Sequence, residues 1–201
     1  MSIFERSENF TVFLRKYPIT SVILLLNIVY FALIRLVTSA SENETIFRWG
    51  AFYKPAIEDG EYYRFLTSIF MHFEISHLLF NLFSIFLFAA VLEKLIGRFK
   101  FMLLYLISGI AGNLLTYAFD SPALSLGASG AIFGVFGAFL YLSRKSNVLD
   151  TNSRRTIISL VVVNLVLTFI LPDISITGHL GGFVAGLLLS VGLRINRVHA
   201  M

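Results

Sequence analysis

The sequence predicts an all-α membrane protein, a bundle of six transmembrane helices with both termini in the cytoplasm. Hydrophobic residues make up 57% of the 201 residues and charged residues only 14%, against about 25% charged in an average soluble chain. Several apolar stretches approach the roughly 20 residues that a helix needs to cross a bilayer. Twelve of the 16 Lys and Arg fall in the segments that this topology makes cytoplasmic, as the positive-inside rule requires.

The whole chain, residues 1–201, is interpreted as one membrane domain. The predicted spans are residues 18–37, 65–92, 101–119, 127–143, 156–171 and 178–195. These stretches are predicted helical because lipid offers the backbone no hydrogen-bond partner. Residues 1–17 carry charges and lack an apolar core, so we expect the first span, and no cleaved signal peptide, to direct insertion. The short connections favour a bacterial cytoplasmic membrane.

One connection is long, residues 38–64, and it is both acidic and rich in aromatic side chains. A solvated linker would not keep so many aromatic residues, whereas amphipathic rings are typical of the membrane–water boundary. We therefore expect a partly structured element that lies at the interface.

Composition also excludes several classes of function. The chain has no Cys, which excludes a thiol nucleophile, disulfides and thiolate-bound zinc. A His-Glu-x-x-His zinc motif is absent, and Asp120 and Asp173 lie in loops, so an aspartyl protease is disfavoured. The net charge of +4 without a Lys/Arg run longer than two predicts no nucleic-acid partner. We expect neither a metal nor a cofactor.

Two polar residues begin predicted spans on the same side of the membrane. Ser129 starts the fourth span, where free backbone N–H groups and the helix dipole can stabilise a negative oxygen. His179 lies near the start of the sixth span. Small residues at helical spacing, which let helices approach closely, follow or flank each of them: Gly130, Gly134 and Gly137, and Gly178, Gly182 and Gly186. These ladders serve packing in any case, but they also predict that Ser129 and His179 meet.

A serine becomes an effective nucleophile when a base takes its proton, and His179 is placed to be that base. No acidic residue is clearly positioned to orient the imidazole, so the pattern indicates a Ser–His dyad rather than a triad. Phe133, one turn after Ser129, is predicted to pack on His179. His77 and Asn81 share one face of the second span. Together with the Ser129 N–H they form a candidate oxyanion hole, although interhelical hydrogen bonding alone is the alternative.

Four motifs occur in order along the chain: Met71-His72-Phe73, His77-x-x-x-Asn81, Gly127-x-Ser129-Gly130 and His179-x-x-Gly182. From about residue 18 to 196 the sequence resembles the compact bacterial rhomboid intramembrane serine proteases. The resemblance implies that Ser129 is the nucleophile and His179 the general base, with His77, Asn81 and the Ser129 backbone holding the oxyanion. It implies transmembrane protein substrates, a first loop lying sideways in the bilayer, and substrate entry gated by the fifth span.

The resemblance also implies supporting roles, and the chain departs from the family pattern at two places. The expected Trp-Arg pair is Tyr63-Arg64, and the Tyr expected one turn after the nucleophile is Phe133. Glu93 and Gly97 resemble a structural feature that follows the second span, and we expect His72 to tie a loop to a helix. Position 131 is Ala131, so a Gly-x-Ser-x-Gly elbow is absent. The predicted supporting residues are Phe133, Gly127, Gly130, Gly182, Gly186, His72, Arg64 and Glu93.

Two other functions stay open at this point. A catalytically silent rhomboid-like protein would bind membrane clients, although such proteins usually lack the Ser or the His that this chain keeps. A small transporter would use Gly-rich broken spans as a substrate site. It is disfavoured because the sequence has no internal repeat and no carboxylate deep in a span.

Overall fold

The computed structural model describes residues 7–37, 41–119, 124–145, 149–170 and 174–195, and over these residues it is helical without a β-strand. Short pieces join the longer helices: a 3₁₀ turn at Ser68–Phe70 and a π-helical turn at Ile85–Ala89. The α-helices are α1 Phe10–Lys16, α2 Pro18–Val37, α3 Glu42–Arg48, α4 Lys54–Glu58, α5 Arg64–Thr67, α6 Ile75–Ser84, α7 Ala90–Ile96, α8 Arg98–Phe119, α9 Ser129–Lys145, α10 Thr151–Ile170 and α11 Ile176–Gly192.

Among the described residues, four helices are long and apolar enough to cross a membrane. They are α2, the continuous helix Ile75–Ile96 formed by α6, the π turn and α7, then α8 and α10; α11 is a shorter apolar helix. The predicted all-α membrane fold is confirmed to this extent. α9 has 17 residues, of which eleven are buried, because other helices surround it.

The second predicted span, residues 65–92, differs most from the structure. The long helix begins at Ile75 and continues to Ile96, whereas residues 64–70 form α5 and the 3₁₀ turn. Hydropathy could not separate the two pieces, since both are apolar. Their break, at residues 71–74, contains His72, whose side chain bonds to Asn81 further along the helix. The start of this helix is therefore associated with a side-chain contact that hydropathy does not report.

The helix at the fifth predicted span, α10, begins earlier than expected, at Thr151 instead of residue 156. The cause is a cap: the Asp150 carboxylate accepts hydrogen bonds from the backbone N–H groups of Asn152 and Ser153, at 2.9 and 3.0 Å. These bonds satisfy donors that a helix start leaves free, and they hold the pKa of the Asp150 carboxyl below its usual value.

A buried carboxylate connects the second and first long helices at the end where α2 begins. Glu93 is 2% exposed and accepts hydrogen bonds from the Ile19 and Thr20 N–H groups and from the Thr20 hydroxyl, at 3.1, 2.8 and 2.7 Å. It therefore caps α2 from a distant part of the chain, which stabilises a charge that would otherwise be costly to bury.

Helices α8, α9 and α11 form the centre of the bundle. Their approach depends on glycine: a methyl group on Gly182 would overlap the Gly130 carbonyl, and one on Gly186 would overlap the Gly134 carbonyl. Since only hydrogen fits at these positions, the two backbones touch directly, as small-residue ladders allow. This crossing positions the start of α9 against the start of α11.

The long connection after α2 carries the two short helices α3 and α4, and it is fastened to the bundle by Arg64. This side chain is 2% exposed and donates to the carbonyls of Phe47 and Ala51, both at 2.8 Å, and to the Glu61 carboxylate at 2.7 Å. The loop is thus partly structured. Its predicted position at the membrane interface stays a prediction.

Candidate active site

The first turn of α9 follows a loop that two other parts of the chain hold in place. Ser129 is the first residue of α9. Upstream, Phe52 and Ser125 exchange two backbone hydrogen bonds, at 2.8 and 3.0 Å, and the Gly127 N–H donates to the Ser68 carbonyl at 2.9 Å. The loop before Ser129 is therefore connected both to the long first connection and to the 3₁₀ turn.

The side chain of Asn113 on α8 also helps to hold the loop before Ser129 in place. Asn113 donates to the Phe65 carbonyl at 2.8 Å and to the Ser68 hydroxyl at 2.9 Å. Because the Ser68 carbonyl receives the Gly127 N–H, Asn113 acts through Ser68 on the loop that carries Ser129. The sequence alone does not predict this role of Asn113, because an isolated Asn within a membrane helix belongs to no motif.

Gly127 brings the second long helix to this loop. Its φ of +127° is a backbone conformation that favours glycine. A methyl group there would lie 2.7 Å from the His77 Cε1 and 3.8 Å from the Asn81 Nδ2. The His77 imidazole and the Asn81 amide therefore lie against the backbone two residues before Ser129, and their role in an oxyanion hole stays a prediction.

His72 occupies the other side of this pair. The Asn81 amide donates to the His72 Nε2 at 2.8 Å, and the His72 and His77 rings meet edge to face with centroids 4.9 Å apart. An amide has two N–H hydrogens, so Asn81 keeps one for another acceptor. His72 joins the loop at residues 71–74 to α6, and its supporting role stays a prediction.

His179, at 7% exposure, lies in the first turn of α11 and is held from two directions. Its ring stacks on Phe133, with centroids 4.0 Å apart and planes 15° apart. Its Nδ1 is 2.8 Å from the Thr168 hydroxyl oxygen on α10. The helix itself is capped at Ser175, whose side chain accepts the Gly178 N–H at 3.0 Å. Thr168 was not singled out in the sequence, because threonine is ordinary in a membrane helix.

The crossing of α9 and α11 brings together the residues beside Ser129 and His179. A methyl group on Gly130 would lie 3.4 Å from the Gly178 carbonyl oxygen, and these glycines directly follow Ser129 and precede His179. Ser129 and Phe133 share a helix face, and Phe133 contacts His179. No hydrogen bond joins Ser129 to His179 in the described part of the chain, and such catalytic bonds often tighten only with substrate.

The sequence of the chain matches known proteins of one family. The family model for the Rhomboid domain matches residues 59–196. A Bacillus subtilis protein assigned as a rhomboid protease and called YdcA is 36% identical over 94% of this chain and 94% of its own length. The chain belongs to the rhomboid family.

Further relatives extend the rhomboid comparison beyond one bacterial protein. The rhomboid protease GluP of Bacillus subtilis is 33% identical over 92% of this chain, which spans 36% of GluP. RHOMBOID-like protein 5 of Arabidopsis thaliana is 35% identical over 76% of this chain and 50% of its own length. Rhomboid membership implies an intramembrane protease, and together with the apolar helices it makes this protein an integral, multi-pass membrane protein.

Proposed function

We propose that this rhomboid protein is a serine endopeptidase that cleaves transmembrane protein substrates with a Ser129–His179 dyad. The observation that carries the proposal is the glycine-lined crossing of α9 and α11, which brings the start of each helix to the other. A free Ser hydroxyl at a helix start and a nearly buried His on the facing helix are the two groups that acyl transfer needs.

The chemistry follows from the positions of these groups. The Ser129 Oγ attacks the scissile carbonyl carbon while the His179 Nε2 takes the hydroxyl proton. The oxyanion that forms accepts hydrogen bonds from the Ser129 N–H, from His77 and from the second N–H of Asn81. His179 then gives its proton to the leaving amine as the C–N bond breaks. Water next attacks the acyl carbon while His179 takes its proton, and His179 returns that proton to the Ser129 Oγ as the acyl–oxygen bond breaks.

The proposed oxyanion hole explains why polar groups are gathered at Gly127. His77 and Asn81 lie against the backbone of the loop before Ser129. Without them, negative charge that develops there would face apolar helices. Removing one donor of such a hole typically lowers kcat by about 10²–10³-fold. Substitution of His77 or Asn81 therefore reduces turnover without removing the nucleophile.

A cleavage assay tests the proposal. The purified protein, in vesicles containing a reporter transmembrane substrate, is compared with Ser129→Ala and with the matched control Ser190→Ala. Ser190 is fully buried on α11 and donates only to the Gly186 carbonyl of its own helix, at 2.6 Å. We expect Ser129→Ala to abolish cleavage and Ser190→Ala to keep it. Undiminished cleavage by Ser129→Ala would rule the dyad out, and a silent client-binding protein would show none with any variant.

We also propose that α9 and α11 complete a six-span topology with both termini in the cytoplasm of a bacterial cell. The distribution of Lys and Arg supports this orientation. The chain has no Cys, so single cysteines report sidedness without background. Glu58→Cys should react with an impermeant thiol reagent added outside intact cells, whereas Lys94→Cys should react only after lysis. The reverse pattern would overturn the orientation.

A further inference from the structure

Thr168, near the end of α10, is buried beside the proposed catalytic base. Its side chain is 1% exposed, and its hydroxyl oxygen takes part in two hydrogen bonds: one of 2.9 Å with the Asn164 carbonyl of its own helix and one of 2.8 Å with the His179 Nδ1. A hydroxyl in so dry a place is costly unless it is paired, and here both of its contacts are specific.

The directions of these two bonds follow from simple counting of hydrogens. A carbonyl oxygen only accepts, so Thr168 donates its single hydrogen to Asn164. The Thr168 oxygen can then only accept from His179, which places the imidazole hydrogen on Nδ1. In the neutral ring the Nε2 nitrogen is consequently left with a free lone pair, the form that a general base needs.

Phe133 alone does not achieve this. Stacking at 4.0 Å with 15° between the planes fixes the plane of the imidazole. It leaves a 180° flip of the ring about χ2 nearly neutral, because either face of the imidazole can stack on the phenyl ring. A hydrogen bond to one nitrogen distinguishes the two orientations. Phe133 and Thr168 therefore supply complementary restraints, one on the ring plane and one on the rotation and tautomer.

We propose that Thr168 is a positioning residue for the dyad: it holds the His179 ring in the Nδ1–H tautomer with Nε2 toward Ser129. This inference rests on the proposed Ser129–His179 chemistry. Thr168 takes the place that a carboxylate has in a triad, but it is neutral, so it orients the ring and contributes little to stabilising an imidazolium. Its loss leaves the nucleophile and the oxyanion hole unchanged.

The test compares three variants of the full-length protein in vesicles. Thr168→Val keeps the shape of the side chain and removes the hydroxyl, Thr168→Ser keeps the hydroxyl, and Thr156→Val makes the same change at an exposed position of the same helix. The free-energy penalty for leaving a buried polar group without its hydrogen bond corresponds to a factor of about 10 to 100. We expect Thr168→Val to lower kcat by about that factor with little change in KM, and Thr168→Ser to restore most of it. Thr156→Val should match the unmodified protein.

A second measurement reads the tautomer of the His179 ring directly instead of the rate of cleavage. ¹⁵N NMR of the histidine-labelled protein, with the His179 signal identified by its absence in His179→Gln, reports which ring nitrogen carries hydrogen. We expect protonated Nδ1 in the unmodified protein and a mixture of tautomers in Thr168→Val.

Each contrary result has a distinct meaning. Full kcat in Thr168→Val, equal loss in Thr168→Ser, or a hydrogen on Nε2 in the neutral unmodified protein would overturn the role of Thr168 while Ser129-dependent cleavage continued. Absence of Ser129-dependent cleavage in the unmodified protein would instead contradict the proposed function, on which this inference rests.

Discussion

The two sides of His179 are built in different ways. On one side, α9 and α11 cross with glycine backbones in direct contact, so the placement of Ser129 near His179 depends on the main chain. On the other side, α10 buries only a narrow stripe, with Ser153, Ile157, Val161 and Thr168 as its buried residues. It contacts the imidazole through one hydroxyl.

The two sides of His179 should differ in how well they tolerate substitution. A backbone crossing without side chains cannot adjust to a larger residue, since interiors are close-packed and transmit strain. A single side-chain hydrogen bond can be lost while the fold persists. We therefore expect changes on the α9–α11 side to affect stability and activity together, and changes on the α10 side to affect activity alone.

The largest effect should come from widening the crossing. Gly182→Ala places a methyl group into the Gly130 carbonyl, and we expect the free energy of unfolding to fall by about 1–3 kcal/mol and cleavage to fall below detection. Gly192→Ala is the matched control, because nothing lies within 4 Å of its added methyl group. Thermal unfolding in detergent and the cleavage assay give both quantities. A stable, active Gly182→Ala protein would mean that the crossing does not position the dyad.

The next effect should come from the loop before Ser129. Gly127→Ala has to keep a φ of +127° and would bring its methyl group to 2.7 Å from His77, so we expect kcat to fall by about 10²–10³-fold, as for a damaged oxyanion hole. Gly60→Ala has a similar φ of +103° with nothing within 4 Å. Gly60→Ala therefore measures the cost of the positive φ alone, and this variant should remain active. Equal activity of the two variants would argue against His77 as an oxyanion donor.

A smaller effect is expected where Phe133 stacks on His179. Phe133→Leu removes the ring face, and because aromatic pairs contribute about 0.5–1.5 kcal/mol beyond burial, we expect kcat to fall by about 2- to 10-fold. Phe133→Tyr keeps the ring and should stay near the original rate. Steady-state kinetics on both variants check this, and a loss in Phe133→Tyr as large as in Phe133→Leu would show that stacking is not the restraint.

The smallest effect concerns the connection far from the dyad. Hydrogen bonds from Tyr63 and Arg64 lower the pKa of the Glu61 carboxyl from its ordinary 4.5. Its stabilising contribution is therefore full above pH 4.5 and is lost as the pH falls through the lowered value of the folded protein. The Tm of Glu61→Gln should thus be slightly below that of the unmodified protein at pH 7, and the gap should close on acidification. Glu58 is exposed on α4, so the Tm of Glu58→Gln should equal that of the unmodified protein both at pH 7 and at acidic pH.

Much of the bundle could be predicted from the sequence, whereas the roles of the candidate site residues stay predictions. The apolar stretches gave the long helices, with α2 matching residues 18–37. Glycines at helical spacing predicted the close approach of α9 and α11, because small residues let helix backbones touch. That Ser129 and His179 act together there stays a prediction.

Other features could not be predicted because they depend on contacts between distant parts of the chain. The start of α6 at Ile75 follows an apolar stretch and is associated with the His72–Asn81 bond. The Phe52–Ser125 bridge uses backbone groups, which every residue has. Threonine is an ordinary residue in a membrane helix, so only the position of Thr168 beside the His179 Nδ1 distinguishes it.

Labelling by a fluorophosphonate probe tests the central claim, that Ser129 is a nucleophile activated by His179, most directly. The probe forms a bond to a serine only when a base removes the hydroxyl proton. We predict that the unmodified protein and Gly192→Ala are labelled at Ser129, and that Ser129→Ala and His179→Ala are not. Labelling of His179→Ala at the original rate, or of Ser129→Ala at any serine, would contradict the account.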